Sequence, residues 1–462
     1  MTLRRLYNTL VPVLFICFLL PLFFLPQQRY GVKFSFFNPV AVVSSNRTPK
    51  PQHELLYPAT AVKPNETELE FSSPGTSYPF EAYDPTRPPV FELKDNTPNY
   101  FINIASTTCF KLGTNASVSQ PEKCVCLPRW YGKDCSQPQS IVASDQFQNR
   151  SSRDKITRRR RARRVINGIN INHELDMLEI RLNELYNVVD VFIVCESNYT
   201  AYGDAKPLYL LPKLKAGFLR QFQDKIVYVW LDHFPEGGTE DGWIADGYLR
   251  TFLWKQGKTQ LSGLRDDDIF ILNDADEIPQ ADAIAFLKTH DGYGFPIALR
   301  LQWTSYGFYW LATLKYTNVT SICTVKYLEK VLQDDAYGIR KVPPYEAEDL
   351  YGEEVERWII GMGNETHGGW HCSNCLPIPL IKVKMLSAQS ADGPRWGDYP
   401  DKMNESYILY LVNEGRTFDD QKCGIRIVVD ESTAPAFVLR NRERFRYLIE
   451  PPGNRTVKET RR

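Results

Sequence analysis

The chain has 462 residues, of which 43% are hydrophobic and 24% are charged, and its 55 basic residues balance its 55 acidic residues. This length allows two or three domains with substantial cores. The zero net charge indicates neither a nucleic-acid-binding protein nor a protein that binds a strongly acidic partner.

Residues 1–28 predict a cytoplasmic tail and a single transmembrane anchor. An uncharged apolar run from Leu6 to Gln28 follows Arg4 and Arg5. As a helix, such a run is about 35 Å long and can cross a bilayer. Because the positive charges precede the run, the rest of the chain is expected on the lumenal side. A cleaved signal peptide is the alternative, but no small-residue cleavage site follows the run, so an uncleaved anchor is favoured.

Cysteines and glycosylation sequons are consistent with a lumenal body. Nine of the ten cysteines follow the apolar run. The chain also has nine Asn-x-Ser/Thr sequons, at Asn46, Asn65, Asn115, Asn149, Asn198, Asn318, Asn364, Asn404 and Asn454. One sequon is weak evidence, but nine behind an anchor predict a glycoprotein of the secretory pathway.

Two segments are expected to form no packed domain. Residues 29–104 are rich in proline and lack hydrophobic periodicity, which predicts an extended, disordered stem. Residues 141–164 predict a basic linker that contains "TRRRRARR". In a lumenal protein this run is either a solvated linker or a convertase site, and cleavage there would release the body from its anchor.

Residues 105–140 predict a small cysteine module. Cys109 precedes "CVCLPRWYGKDC", which contains Cys124, Cys126 and Cys135. Four cysteines allow three pairings, and a module of this size needs such crosslinks to fold. A zinc site is disfavoured by the oxidising compartment and the lack of histidine. The spacing resembles the second half of an EGF-like module, and this resemblance implies the pairs Cys109–Cys124 and Cys126–Cys135.

Residues 165–445 predict one large α/β domain, followed by a C-terminal tail, residues 446–462. Four strand-like runs, "VINGINI", "VVDVFIVCE", "KIVYVWL" and "DIFILND", alternate with helical patterns in "HELDMLEIRLNELY" and "DGWIADGYLRTFL". This alternation predicts a mostly parallel central sheet. The nearly continuous apolar character of the strands indicates that both faces of the sheet are covered.

An acidic cluster ends the last of these strands. Asp274 and Asp276 are two positions apart, so in an extended segment their side chains project the same way, with Glu277 beside them. Ligands of open α/β sheets bind beyond the carboxyl ends of the strands. Paired carboxylates there suit Mg²⁺ or Mn²⁺, which would bridge them to a phosphorylated donor. The alternative, compatible with the first, is that Asp276 caps a helix that has Pro279 in its first turn.

The longest distinctive stretches resemble a known enzyme family. They are "RRVINGININ", "VVDVFIVCESNYTAYG", "DGWIADGYLRTFL", "DDIFILNDADEIP", "GGWHCSNC" and "SAQSADGPRWGDYPDK". These are similar to the β-1,4-mannosyl-glycoprotein 4-β-N-acetylglucosaminyltransferases, glycosyltransferase family 17. The resemblance implies a GT-A-like nucleotide-sugar-binding fold and a single-pass type II Golgi membrane enzyme with a lumenal catalytic domain. It also implies inverting transfer of GlcNAc from UDP-GlcNAc to the core β-mannose of N-glycans, with Mn²⁺ (or Mg²⁺).

With this resemblance, individual residues acquire expected roles. Asp274 and Asp276 would bind the metal and the diphosphate, and His371 would be a further metal ligand unless it packs beside Trp370. Donor-binding candidates near the same sheet edge are Glu196 (uridine or ribose), Thr200, and the phosphate-binding Lys206 and Arg250. For each of these the alternative is a solvated or structurally paired side chain. Cys372 and Cys375 are expected to form disulfides rather than a zinc site. Of the five cysteines of the body, at least one should be free or form an intermolecular disulfide.

The general base of an inverting transfer is less clearly indicated. Asp392 and Asp398 lie in "SADGPRWGDYPDK", whose polar and aromatic groups suit sugar binding. Asp401, Asp241 and Asp246 are rival candidates. Two other functions stay open: a transferase with another donor or acceptor on the same fold, and a non-enzymatic ectodomain that carries an EGF-like module.

Overall fold

The structure is a computed structural model that describes residues 91–362, 366–388 and 395–454. The predicted anchor, most of the predicted stem and the base candidate Asp392 lie outside these ranges. Within them, no helix combines the length and the apolar character needed to cross a membrane.

The described chain begins with a small module. Its strands are β1 (Phe91–Glu92), β2 (Phe101–Ile104), β3 (Thr107–Phe110), β4 (Trp130–Tyr131), β5 (Gln137–Pro138) and β6 (Thr157–Arg158), and its helices are α1 (Gln139–Val142), α2 (Asp145–Gln148) and α3 (Arg150–Arg153). Strands β2 and β3 pair antiparallel, as do β4 and β5. The disulfides Cys109–Cys124 and Cys126–Cys135 confirm the expected pairing. They form most of the module's small core, which explains why so short a segment can fold.

A larger body of strands and helices follows. Its strands are β7 (Val165–Ile171), β8 (Val191–Ser197), β9 (Ile226–Leu231), β10 (Leu261–Ser262), β11 (Ile269–Asp274), β12 (Glu277–Pro279), β13 (His290–Asp291), β14 (Ile297–Ser305), β15 (Trp310–Thr324), β16 (Trp358–Ile360), β17 (Gly369–Ser373) and β18 (Gly424–Arg426). Its helices are α4 (Leu175–Leu185), α5 (Leu210–Lys215), α6 (Gly242–Gly257), α7 (Ala281–Thr289), α8 (Val325–Lys330), α9 (Ala347–Tyr351), α10 (Ile378–Ser387), α11 (Glu405–Glu414), α12 (Ala436–Arg440) and α13 (Arg446–Ile449). Short 3₁₀ helices lie at Thr97–Tyr100, Lys111–Gly113, Arg220–Lys225, Lys258–Gln260, Ala336–Arg340, Trp396–Asp398 and Pro452–Asn454.

Ten of these strands form one mixed sheet, so the prediction of an α/β fold is confirmed. Its order is β12-β17-β14-β15-β11-β7-β8-β9, with β16 on β14 and β18 on β15. Strands β11, β7, β8 and β9 are parallel, as predicted. Strand β15, however, runs antiparallel to both β11 and β14. Only four residues separate β14 from β15, and so short a connection permits only antiparallel pairing. An uninterrupted parallel arrangement is therefore found only in β11, β7, β8 and β9, whereas the other half is mixed, with β14 parallel to β16 and β17.

Helix α6 packs very closely on the parallel half of the sheet. A Cβ atom on Gly168 would lie 2.7 Å from the Leu253 side chain, and one on Gly257 would lie 2.5 Å from Ile193. Trp254 of the same helix is fully buried, with its ring centroid 4.7 Å from that of Phe270. Glycine therefore lets the helix approach β7 and β8, and this brings the first half of α6 to the carboxyl ends of the strands.

The acidic stretch after β11 does not begin a helix at Asp276. Residues Glu277–Pro279 form β12, which pairs with β17, and helix α7 begins only at Ala281, with Gln280 in the N-cap position. The alternative that made Asp276 a helix cap is therefore wrong. Pairing with β17 keeps this segment extended, and the Asp276 side chain stays available for other contacts.

The basic run joins the module to the body. Its last three residues, 162–164, are buried, whereas Thr157, Arg158, Arg160 and Arg161 are exposed. Arg164 is only 3% exposed, pairs with Asp268, and donates to the carbonyl oxygen of Leu93 at 2.7 Å. Arg163 is 7% exposed and contacts Asp291 at 2.6 Å. A buried guanidinium is stable only with such partners. Strand β6 also pairs with β13, so the run forms part of the fold.

We expect this arrangement to make the native protein resistant to a convertase that recognises Arg-x-Arg-Arg. A protease needs an extended, accessible chain, whereas Ala162, Arg163 and Arg164 are 3%, 7% and 3% exposed. Gel electrophoresis after incubation should show only the intact protein. A peptide of residues 155–170 is the positive control and should be cut. Cleavage of native protein after Arg164 at the rate of the peptide would contradict the expectation.

Candidate functional site

A cavity of about 710 Å³ lies where the carboxyl ends of β7, β8 and β11 meet. Its size is in the range of small-molecule sites, and its place is the one where open α/β sheets bind ligands. Its wall includes residues that follow these three strands, the first half of α6, β17 and the last half of α10. The sequence analysis placed a site at this edge, and the structure shows a cavity there.

Asp274 lies in the cavity wall and is paired with a buried arginine. Its Oδ1 accepts a hydrogen bond from Arg250 at 2.7 Å and lies 3.8 Å from Arg340. Burial by itself raises the pKa of Asp274, but the charges of Arg250 and Arg340 outweigh this effect and bring the pKa below its usual value. Asp274 is therefore a carboxylate. Arg250 is in turn paired with Asp246, which also lines the cavity.

Asp276 faces the same cavity but has different partners. Its Oδ2 accepts a hydrogen bond from Lys384 at 2.9 Å, and its Oδ1 lies 3.8 Å from Nε2 of His371. Lys384 also lies 3.7 Å from Glu174. Burial disfavours the charge of Lys384, but these two carboxylates raise its pKa above the usual value, so it stays cationic. The sequence analysis missed Lys384, although a lysine within the apolar "PLIKVKML" of α10 was an available signal.

His371 reaches the cavity from β17, where it is opposite Glu277 in the sheet register. Its ring is stacked on Trp303 with centroids 5.9 Å apart, and its Nε2 is 3.3 Å from Oγ of Ser373. Its Nδ1 is buried without a hydrogen-bond partner. The expected disulfide after it is confirmed as Cys372–Cys375, which excludes a zinc site at these two cysteines. Three cysteines of the body, Cys195, Cys323 and Cys423, are free.

Three polar atoms in one part of the cavity wall are buried without a hydrogen-bond partner. They are Oδ1 of Asn170, Oδ1 of Asn172 and Nζ of Lys206. A buried, unpaired polar atom costs about 1–3 kcal/mol, so this set indicates that a polar ligand completes the site. Burial lowers the pKa of Lys206 to about 8, against the opposing effect of Glu196 and Glu174. The sequence analysis predicted Lys206 but missed the two asparagines, which alternate at the end of "NGININ".

Two of the predicted donor contacts are engaged within the protein. The carboxylate of Glu196 is fully buried, and it accepts hydrogen bonds from the amides of Leu210 and Leu211 and from the Tyr228 hydroxyl. It stabilises the start of α5 and lies outside the part of the cavity wall that the described residues form, and its contact with uridine or ribose stays a prediction. Thr200 does line the cavity, but its hydroxyl accepts hydrogen bonds from two amides of its own loop.

The structure does not bring Asp398 to the cavity. Its side chain is 64% exposed and lies 3.7 Å from Arg395, outside the part of the wall that the described residues form. The rival Asp241 caps α6 by accepting a hydrogen bond from the amide of Trp243, and the rival Asp246 is in the wall. The role of general base for Asp392 or Asp398 stays a prediction.

Aromatic side chains occupy much of the remaining wall. Trp243, Trp303, Trp396, Phe234 and Phe418 all line the cavity. Such rings offer apolar faces on which sugar rings can stack, and the indole N–H adds a hydrogen-bond donor. A wall that holds both ionic and aromatic groups suits a ligand with a phosphate part and a sugar part.

Comparisons with known proteins agree with this chemistry. Residues 135–328, which include Asp274 and Asp276, match the model of glycosyltransferase family 17. The chain is 42% identical over 353 residues to the rat and mouse proteins named β-1,4-mannosyl-glycoprotein 4-β-N-acetylglucosaminyltransferase, and these matches cover 74% of this chain and 64% of each relative. The human protein of that name is 42% identical over 341 residues, or 71% of this chain and 62% of the relative. The match thus spans less than two thirds of these relatives. Residues 135–328 are thus similar to glycosyltransferase family 17, which agrees with the resemblance of the sequence motifs.

Proposed function

We propose that the protein is an inverting glycosyltransferase that moves GlcNAc from UDP-GlcNAc to the core β-mannose of N-glycans in β-1,4 linkage, forming a bisecting residue. The observation that carries this proposal is the cavity at the carboxyl edge of the parallel strands, where Asp274 and Asp276 lie among fixed cations and unpaired polar atoms. The names of the relatives support the choice of sugar and acceptor. The parallel half of the sheet, with its ligand cavity at the strand ends, supports a GT-A-like fold.

The donor is proposed to occupy the polar part of the cavity. The Oδ1 atoms of Asn170 and Asn172 can accept hydrogen bonds from donor groups of the uridine. Lys206 and Arg250 supply positive charge for the diphosphate. As the sugar develops oxocarbenium character, negative charge builds up on the departing diphosphate, so these cations stabilise the transition state more than the ground state.

The donor set fits a divalent cation of the Mn²⁺ or Mg²⁺ type. Asp276 and His371 approach each other in the cavity wall, His371 has an unpartnered buried nitrogen, and Asp274 is two residues away from Asp276. No group of three or more His, Cys, Asp or Glu side chains is arranged as a complete metal site in the described ranges. Ions of this kind commonly take one or two carboxylates and complete their shell with substrate phosphate and water. When bound, the ion would offset the charge of the departing UDP.

The acceptor is proposed to bind against aromatic side chains of the cavity wall. Trp303 and Trp243 can stack on the mannose and its neighbouring sugars. An inverting transfer places the acceptor hydroxyl opposite the leaving UDP, and its proton must pass to a base on that side. Asp392 and Asp398 stay our candidates for this base. Asp246 lies in the wall, but its pairing with Arg250 makes it a structural partner of the donor side.

A secretory location is proposed together with this activity: a type II Golgi membrane protein with its catalytic domain in the lumen. Three disulfides in the described residues support an oxidising compartment. The sequon asparagines Asn149, Asn318 and Asn404 are exposed and accessible to glycosylation. The proposed anchor rests on residues 6–28, whose apolar sequence is its support.

The first test replaces the two aspartates. Asp274→Asn and Asp276→Asn keep the side-chain shape but remove the charge, so each variant should lose about 100-fold or more of the transfer rate. The assay measures GlcNAc transfer from UDP-GlcNAc to a biantennary N-glycan, with linkage analysis of the product. Chelation should abolish the wild-type rate, and Mn²⁺ should restore it.

The matched control for this test is Asp349→Asn, an exposed carboxylate on α9. It should transfer at the wild-type rate. Wild-type activity in either cavity variant, with the control also active, would contradict the assigned role of the aspartates. Transfer of another sugar, or to another position of the glycan, would favour a different member of the same enzyme class.

The second test is the pH dependence of UDP binding. The pKa of Lys206 in the free protein is about 8, so its charged form predominates below that pH. If the charge contacts the diphosphate, affinity falls as the pH rises, and the dissociation constant should increase about tenfold from pH 7 to pH 9. Calorimetric titration with UDP and Mg²⁺ measures this change. In Lys206→Gln the affinity should be lower and nearly independent of pH, and an unchanged pH dependence would exclude the contact.

A further inference from the structure

A fully buried arginine lies directly behind the segment that carries the two cavity aspartates. Arg181 belongs to α4 and is 0% exposed. Its Nη2 donates to the carbonyl oxygens of Asp274, Ala275 and Glu277. One guanidinium nitrogen thus contacts three carbonyl groups of residues 274–277, which we call the acidic turn.

The other contacts of Arg181 are weak. Its Nη1 lies 3.3 Å from Oδ1 of Asn167 and 3.5 Å from Oδ1 of Asn273, and its Nε has no hydrogen-bond partner. Within the described residues, no carboxylate comes within ion-pair distance of this side chain. The best-placed partners of Arg181 are therefore backbone carbonyls of the acidic turn.

A buried charge of this kind needs compensation, because removing a cation from water costs several kcal/mol. Burial lowers the pKa of Arg181 to about 10, and the nearby carboxylates of Glu277, Asp276 and Asp274 oppose this effect. The group stays cationic at neutral pH. Attraction therefore acts in both directions: the acidic turn stabilises the arginine, and the arginine offsets the mutual repulsion of the carboxylates.

We propose that Arg181 is a positioning residue that fixes the backbone of the acidic turn, so that the carboxylates of Asp274 and Asp276 face the cavity. This inference rests on the proposed function. Arg250 and Lys384 contact the carboxylates from within the cavity, where a bound donor and cation would compete with them. Arg181 contacts the acidic turn from the opposite side. Its hydrogen bonds to the backbone carbonyls therefore do not compete with a donor or a cation bound in the cavity.

The chemistry of this role requires arginine. A guanidinium is planar and presents several N–H groups in a fixed arrangement, so it can contact several carbonyl oxygens at once. A lysine of similar length keeps the charge, but its ammonium group cannot reproduce that geometry. Arg181→Lys therefore keeps the compensating charge but loses the hydrogen-bond geometry that places the acidic turn. Arg181→Gln removes the charge as well.

The matched control is Arg164→Lys. Arg164 is also buried, at 3% exposure, and donates to two carbonyl oxygens, those of Leu93 and Gly263. It precedes β7, at the end of the parallel strands opposite the cavity. Loss of its hydrogen bonds should lower the melting temperature without affecting UDP binding, which is the behaviour of a purely structural arginine.

The experiment first measures Mn²⁺-dependent UDP binding to the wild-type lumenal protein by calorimetry. Failure of the wild type to bind UDP would overturn the proposed function, and the positioning role with it. With wild-type binding established, Arg181→Lys should weaken Mn²⁺–UDP binding by about 10–100-fold, the usual effect of losing a group that orients a metal ligand. The Mn²⁺ concentration for half-maximal transfer should rise similarly, while the KM for the glycan acceptor stays unchanged.

Melting temperatures and circular dichroism of all variants decide between positioning and stability. Folded Arg181→Lys that binds Mn²⁺–UDP like the wild type would overturn the proposal. So would equal weakening in Arg164→Lys, or failure of both Arg181 variants to fold while Arg164→Lys folds, because Arg181 would then be a general core residue. Support requires weakened binding in a folded Arg181 variant together with a dissociation constant within about twofold of wild type in Arg164→Lys.

Discussion

The site depends on the compensation of three negative charges within four residues. Asp274 is the last residue of the buried strand β11, and Asp276 and Glu277 follow it, so unpaired carboxylates here would repel one another. Each has a cation: Arg250 for Asp274, Lys384 for Asp276, and Arg340 at 2.7 Å for Glu277. Arg181 adds a fourth positive charge behind their backbone. These cations offset the mutual repulsion of the three carboxylates in a largely buried position.

These cations come from distant parts of the chain. Arg181 lies on α4 and Arg250 on α6, whereas Arg340 comes after β15 and Lys384 lies on α10, after β17. The match to family 17 ends at residue 328, so Arg340, His371 and Lys384 lie beyond it. The parallel half supplies the acidic turn, and the later segments supply part of its charge balance. Both halves of the sheet are thus needed for one site.

Much of the parallel half could be predicted, because its signals are local in sequence. Apolar runs marked β7, β8, β9 and β11, and leucines at helical spacing marked α4. The antiparallel strands β14 and β15 gave no such signal, because partner choice in a sheet is decided by tertiary contacts. The acidic motif at the end of β11 predicted where the cavity lies. It did not predict which neighbouring polar groups face that cavity.

The contacts of individual side chains are equally difficult to predict from local sequence. A glutamate at a strand end has the same local sequence whether it meets a ligand or the amides of a following helix, and Glu196 does the latter. A run of arginines in a sequence suggests a solvent-exposed segment. The burial of Arg164 could not be predicted, because its partner Asp268 lies 104 residues later in the chain. Lys384 and the asparagines of "NGININ" acquire their role only from atoms far away in the chain.

The position of the N-terminal module has a practical consequence for anyone who shortens this protein. Strand β1 pairs parallel with β10, and Leu93 belongs to the main hydrophobic core. Tyr100 donates a hydrogen bond to the carbonyl oxygen of Asn187. A truncated protein that starts at Val165 would uncover apolar surface and lose the ion pair between Arg164 and Asp268. Truncated forms suited to crystallisation should therefore start upstream of Phe91.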